Sequence, residues 1–589
     1  MSMEQKKVHS TDLLNSVRVV LVGTTHPGNI GATARAMKNM GIFNLALVKP
    51  KDFPSNEAIY RSKAAKDIID RGGNAIDASV AVQLVLTLTE PQATGIGGGA
   101  FMLYWDERTS KLYSIDGREK APSKVTENLF LDSDGNKKKF YPDAVVGSQS
   151  VGVPGIIKLL EETHKKFGKL PWEELFKYAI NLAENGFPVS PALNSILGYL
   201  KPLKEIEPAA SYYFIEDSEG LKKPVPVGHI LKNIEYSKTL KRLSKYGSYD
   251  FYEGETAELI IEALNNDNKD SKMSFEDLKN YQIVWREPLC RKYRSYNVCA
   301  MGPPSSGGLT MLMMLKIFEN FDIKSIDPNS IEMIHLFSEV NRIVYADRAY
   351  YMGDSDFINV PVEGLLSETY LSERKKIINL NYYSKTITHG NPPGAEDFEK
   401  NIDISKPSTS HFVIVDKEGN AVSMTSTVEG PFGSHLMAGG FILNNELTDF
   451  SMIPELNGKK IANRVEPNKR PMSSMTPTII FKDNNLFALT GSPGGTSIIN
   501  YVTKSVLGLI DWNLDPSQIV NLPHYMNKGD YTELEKNTSL ENLKTELELL
   551  GHPVKVLNKR SGLHIALKKY DGYVGGADPR KEGLVIPIN

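Results

Sequence analysis

Residues 405–451 read SKPSTSHFVIVDKEGNAVSMTSTVEGPFGSHLMAGGFILNNELTDFS. Phe412, Val413, Ile414 and Val415 form an apolar run. The chain then turns at Asp416, Lys417, Glu418, Gly419 and Asn420, and a second run follows over 421–428. Two such runs joined by a polar, Gly-containing loop predict a β-hairpin. Ser408, Thr409, Ser410 and His411 stand directly before the first strand, deep inside the polypeptide. A mid-chain threonine hydroxyl is a poor nucleophile, because no base is bound to be near it. Cutting the Ser408–Thr409 bond would give Thr409 a free α-amine, which titrates near pH ~8 and is partly neutral at physiological pH. That amine could act as base for its own hydroxyl. Taken alone, the cluster reads as a polar cap on a strand; the surrounding sequence changes that reading.

Seven segments fall in one order along the chain: GGNAIDASVA (72–81), ATGIGGGAF (93–101), DGREKAP (116–122), TSHFVIVDKEGNAVSMTST (409–427), ILNNELTDFS (442–451), NKRPMSSMTPTI (468–479) and GSPGG (491–495). Together they resemble the γ-glutamyltranspeptidase family over about residues 62–589. The resemblance implies an α/β N-terminal-nucleophile hydrolase fold, an αββα sandwich of two antiparallel sheets between helical layers. It implies a self-cleaving precursor, with a large-subunit region at 62–408 and a small catalytic region at 409–589 that stay together as a heterodimer. The implied chemistry is γ-glutamyl transfer from glutathione or related compounds to water, amino acids or dipeptides, with no cofactor and no metal.

Such a donor carries one carboxylate and one ammonium at its head. The resemblance assigns the carboxylate to Arg118 with Ser473 and Ser474, since a planar guanidinium binds carboxylates in bidentate fashion. Glu429, Glu446 and Asp449 are expected to take the ammonium; the family often has amides at the first two positions. Thr409 is the expected nucleophile, Thr427 its hydrogen-bonding neighbour, and Ser408/Thr409 the cleavage site. Gly494 and Gly495 lie between a strand and a helix, where backbone N–H groups can form an oxyanion hole.

The 589-residue chain exceeds one ordinary core, so two or more structural units are expected. Hydrophobic residues at 41% and charged residues at 24% suit a soluble globular protein. A net charge of −3 argues against nucleic-acid binding driven by bulk charge. No apolar run reaches membrane-spanning length, and the polar start MSMEQKKVHSTDLLNS has no secretory core. The expectation is therefore a cytoplasmic chain, although family members are usually exported. Cys290 and Cys299 match no metal pattern. Two free core thiols are the default, with a disulfide only in an oxidising compartment.

Residues 17–61 stand apart. Strands at 17–22 and 45–48 around a helix at 31–40 predict one β-α-β unit of a parallel sheet. VRVVLVGTTHPGNIGATARAMKNMGIFNLALVKP resembles the start of the knotted RNA ribose methyltransferases, whose first motif would hold Asn29 and Arg35. That family builds its methyl-donor site from a C-terminal knot, and this chain has changed to other sequence by about residue 61. An appended fragment is the expectation, and either strand could replace the early strand the transpeptidase family usually has.

Elsewhere, GIGGG at 95–99 precedes a strand, which favours close backbone packing over phosphate binding. GPPSSGG at 302–308 reads as a structural turn before a helix, with anion binding as the alternative. A helix is expected over 331–345 and a loose polar linker over 383–406. The segment 452–467, where some relatives carry a lid, is short. Competing readings are a poly-γ-glutamate hydrolase or β-lactam acylase of the same fold, an RNA-associated protein, and an inactive fusion product.

Overall fold

A computed structural model of the chain describes residues 18–22, 44–48, 56–402, 408–570 and 572–587. Strands β1 (Arg18–Val22) and β2 (Asn44–Val48) pair in parallel, from Arg18↔Asn44 to Val22↔Val48, as a two-stranded sheet of their own. The parallel pairing is the expected one. The helix expected over 31–40, with Asn29 and Arg35, lies outside the described residues. Neither strand joins the two larger sheets, so neither replaces an early strand there.

Helix α1 (Asn56–Asp70) ends at Gly72 and Gly73, and α2 (Ala75–Thr89) begins at once. Asn74 caps α2: its side-chain oxygen accepts from the N–H groups of Ile76 and Asp77, and Asp77 accepts from the Asn74 N–H. This reciprocal box satisfies donors that a helix start leaves orphaned. The sequence AIDASVAVQLVLTLT is apolar all round, and every residue of α2 is buried, as that pattern requires. Its glutamine turns to the sheet: Gln83 donates to Thr94 and accepts from Ser426.

Among the described residues the core is two antiparallel sheets. In chain order the strands are β3 (Gly99–Asp106), β4 (Lys111–Gly117), β5 (Val284–Arg286), β6 (Leu289–Tyr293), β7 (Tyr296–Ala300), β8 (Ser410–Val415), β9 (Ala421–Thr427), β10 (Thr478–Lys482), β11 (Asn485–Gly491), β12 (His564–Lys569) and β13 (Gly572–Ala577). One sheet runs β8-β9-β3-β4-β5 and the other β6-β7-β10-β11-β12-β13. Side chains alternate across each strand. Leu103 and Trp105 therefore face the second sheet, in one cluster with Cys299, Ile479, Phe481 and Leu489. Met102 and Tyr104 face the layer of α2. Helices α3 (Gly307–Phe318), α4 (Ile331–Tyr351) and α5 (Ile498–Ile510) pack on the far side of the second sheet. The αββα sandwich is thus the observed fold, and both sides of residue 408 contribute strands to both sheets.

The hairpin at the centre of the sequence forms as expected. β8 pairs with β9 from Ser410↔Ser426 to Val415↔Ala421. Asp416 closes the turn by accepting from the N–H groups of Glu418 and Asn420. Gly98 explains the glycine run before β3: a Cβ there would lie 2.0 Å from the carbonyl oxygen of Thr427. Backbone packing at the end of β9 is what those glycines permit.

Two expectations are corrected. Cys290 and Cys299 are not free thiols but a disulfide. They sit directly opposite each other in the β6–β7 hairpin, with Cα atoms 4.0 Å apart, a proximity that a nine-residue spacing does not reveal. The segment 383–402 is irregular but not loose. Gly390 N–H donates to Asp347, Asn401 N–H to the Ala349 carbonyl and Glu399 N–H to the Lys460 carbonyl. Asp347 and Ala349 stand where they do because α4 runs on to Tyr351, beyond its expected end at 345.

Candidate active site

Thr409 lies one residue before β8, at the edge of the first sheet, and is buried. Its hydroxyl donates to the carbonyl oxygen of Ser408 at 2.6 Å. The Thr427 hydroxyl, at the end of β9, donates to the same oxygen at 2.8 Å and accepts from the N–H of Glu429. Thr427 was expected to hold the Thr409 hydroxyl; instead both hydroxyls converge on the carbonyl between residues 408 and 409. Ser408 is itself anchored, its hydroxyl donating to the Gln92 carbonyl. From the C-terminal tail, Lys581 donates to the Thr409 carbonyl at 2.7 Å and pairs with Glu90 at 2.8 Å.

Thr409 opens onto a cleft of about 410 Å³. Ser408, Thr427, Arg118, Glu429, Glu446, Asp449, Ser473, Ser474 and Gly495 share its lining, so the fold brings together nearly every residue singled out from sequence. Gly494 stands one step back, where a Cβ would meet the Tyr501 ring at 2.7 Å. Both glycines have positive φ, +137° and +58°, in the turn that starts α5. Side chains avoid such angles, which accounts for the glycine pair.

Arg118 extends from the end of β4 and is almost wholly buried. One terminal nitrogen is held by Glu446, the other by Asp449 at 2.5 Å, and its remaining donors reach the carbonyls of Pro471 and Met472. The guanidinium expected to face a substrate carboxylate therefore faces two protein carboxylates. Burial works against its charge, but Glu446, Asp449 and Glu119 outweigh burial and keep it charged. Burial also acts on the acids, and there it prevails. Glu446 is pushed up to about 8 despite Arg118, and Glu429 is pushed up by burial with Asp449 and Glu446 beside it.

The serine pair is held by elements that sequence reading did not connect. Ser306 donates through its N–H and hydroxyl to the Ser473 carbonyl, Ser305 to the Met475 carbonyl, and Ser473 N–H to Pro304. The 302–308 loop is thus a structural clamp on the Ser473–Met475 turn. Arg348, on α4, donates to the hydroxyls of Ser474 and Ser306, each at 2.9 Å, and lines the cleft. Three residues earlier on α4, Tyr345 donates to the Thr496 carbonyl in the glycine turn. Arg348, Glu119 and Lys581 were not picked from sequence. No sequence signal singles out the first, because its helix also carries Glu332, His335, Glu339, Asn341, Arg342 and Asp347.

A buried threonine at a sheet edge, an acid-lined cleft with an inward arginine, and a glycine turn thus lie side by side. The family model described as Gamma-glutamyltranspeptidase matches residues 61–588. The chain belongs to the γ-glutamyltranspeptidase family. The "Glutathione hydrolase proenzyme" of Bacillus subtilis strain 168 is 38% identical over 545 residues, 90% of each chain. That of Escherichia coli K12 is 35% identical over 528 residues, covering 87% of this chain and 88% of the relative. The crystal structure of a cephalosporin acylase from Bacillus halodurans aligns with a TM-score of 0.77 at 26% identity, covering 89% of this chain and 94% of that one. The model of the SpoU rRNA Methylase family matches residues 16–81, so this γ-glutamyltranspeptidase carries the methyltransferase-like piece at its N-terminal end. Among the described residues no helix is long and apolar enough to cross a membrane.

Proposed function

We propose that the chain is a self-processing γ-glutamyltransferase and glutathione hydrolase with Thr409 as nucleophile. The observation that carries this reading is the convergence of the Thr409 and Thr427 hydroxyls on the Ser408 carbonyl. In the precursor, Thr409 Oγ attacks the Ser408 carbonyl carbon while Thr427 steadies the developing oxyanion. The amide C–N bond breaks, and the acyl group shifts from N to O. Water then hydrolyses the ester, leaving a Ser408 carboxylate and a free Thr409 α-amine. Residues 62–408 and 409–589 become the two subunits of a heterodimer, with residues 1–61 an appended fragment.

In the mature enzyme Thr409 Oγ attacks the γ-carbonyl of the donor, and its own α-amine takes the proton. N–H groups of Gly494 and Gly495 receive the oxyanion. With glutathione as donor, cysteinylglycine leaves, and water or an acceptor amine resolves the γ-glutamyl ester. The α-carboxylate of the donor lies against Arg118, Ser473 and Ser474, and its ammonium against Asp449, Glu429 and Glu446. Mass spectrometry of the purified protein tests the reading: two chains should meet at Ser408/Thr409, and Thr409→Ala should give one uncut, inactive chain. A native protein that stays whole yet releases product from a γ-glutamyl anilide would refute it.

One observation favours a broader donor range. Among the described residues, none of 452–467 lines the cleft, which supports donors longer than glutathione. Comparing glutathione with a γ-linked glutamate oligomer as donor separates a glutathione hydrolase from a polymer hydrolase.

A further inference from the structure

Glu90 follows the last residue of α2 and is buried. Its carboxylate is shared between two cations. One oxygen pairs with Arg61 on α1; the other pairs with Lys581 at 2.8 Å and accepts from the Ser410 hydroxyl. Arg61 also donates to the Glu582 carbonyl, so α1 and the C-terminal tail are tied together around Glu90. Two cations on one carboxylate leave one positive charge in excess.

That charge lies against Thr409. The Lys581 ammonium is 2.7 Å from the Thr409 carbonyl oxygen and 3.5 Å from the Ser410 hydroxyl. Covalent geometry keeps a residue's nitrogen within about 4 Å of its own carbonyl oxygen, so the ammonium stands within about 7 Å of the Thr409 nitrogen.

Other charged groups face Thr409 from the cleft. Arg118 is engaged by Glu446 and Asp449, Glu429 is bonded to Asn445, and Arg348 is turned to the serines. At the glycine turn, Lys528 donates to the hydroxyls of Thr496 and Ser497 and pairs with Glu533. From the strands, His411 bonds Thr425, and His564 stands beside it. Burial keeps both imidazoles neutral, and Arg61 and Lys581 help to push His564 down to about 4. Substitutions at 61, 90 or 581 remove none of these groups.

We propose that the Arg61–Glu90–Lys581 cluster holds the α-amine that cleavage frees at Thr409 in its neutral form, able to take the proton of its own hydroxyl. The inference rests on the self-processing reading above. An ammonium beside a fixed cation gives up its proton to solvent more readily; no other bond is made or broken. At this distance, in partly screened surroundings, one charge moves the amine's titration by about one pH unit. Lys581 and Glu90 act with opposite sign, and Arg61 acts with Lys581 from further away.

The acid limb of kcat/KM reports the base of the free enzyme, so its position toward a γ-glutamyl anilide, measured with the self-processed protein, reads the effect. Lys581→Met should move the limb up by about one pH unit, and Lys581→Arg should leave it in place. Glu90→Gln should move it down. If Lys581→Met does not self-cleave, Arg61→Gln replaces it and should move the limb up by a smaller amount. A cluster that merely aligns the backbone would lower the rate at every pH with all limbs superimposed; that result overturns the proposal and leaves Thr409 as nucleophile standing. A wild-type chain that stays uncut and inactive overturns both.

Discussion

The hydroxyl of Thr427 donates a 2.8 Å hydrogen bond to the carbonyl oxygen of Ser408, the oxygen that also accepts from Thr409. A donor aimed at a carbonyl under attack stabilises the charge that develops there, and losing one such donor costs about 3–4 kcal/mol.

Thr427→Ala is therefore expected to slow self-cleavage by about a hundredfold or more, while Thr427→Ser retains most of it. Densitometry of the precursor band over time measures both. Wild-type cleavage in Thr427→Ala would remove Thr427 from the mechanism.

Arg348 orients Ser474, one of the serines proposed to bind the donor carboxylate. A hydrogen bond to a charged group is worth about 1.5–3 kcal/mol, so Arg348→Lys should raise the donor KM by about tenfold and change kcat less. An unchanged KM with a lowered kcat would place its role elsewhere.

Lys581 fixes the carbonyl of Thr409, the proposed nucleophile. Lys581→Met should lower kcat toward a γ-glutamyl anilide by at least about tenfold, since small misplacements of a reacting atom are costly. Lys581→Arg should recover part of it. Folding is checked by melting temperature, so that an unstable variant is not mistaken for a misaligned one.

Five histidines that burial holds neutral set the response to acid, among them His411, pushed well below the ordinary imidazole range by burial and the neighbouring His564. Burial pulls His435, His524 and His564 down to about 4 and His552 to about 3, helped by nearby cations at the last three. In the unfolded chain each titrates near ~6.5. Their folded values are depressed, so this stabilisation is complete above about pH 6.5 and is lost as pH falls toward about 4. Melting temperature should drop across that window, and His435→Gln should flatten the drop. A flat profile between about pH 6.5 and 4 would contradict the buried, neutral assignment.

Much of the fold could be read from local pattern. The 410–427 hairpin declares itself by two apolar runs around a glycine turn, and α2 by its all-round apolarity after a capping residue. The converging site residues were found because each falls in a motif through which the chain resembles the family. What escaped depends on contacts distant in sequence. Arg348 lies 126 residues from the serine it orients, and Lys581 lies 172 from Thr409. Glu119 sat inside a recognised motif, yet its place beside the Arg118–Glu446 pair depends on a contact across 328 residues. The disulfide was missed because spacing alone does not say that Cys290 and Cys299 face each other across a hairpin.

The order of strands has a last consequence. β9 lies between β8 and β3, and β10 pairs with β7, so residues after 408 are stitched into both sheets among residues before it. Severing the backbone at 408 would leave all of those ladders in place. Neither piece has a closed core by itself, so fragments produced from separate genes would have to co-fold rather than dock as finished bodies.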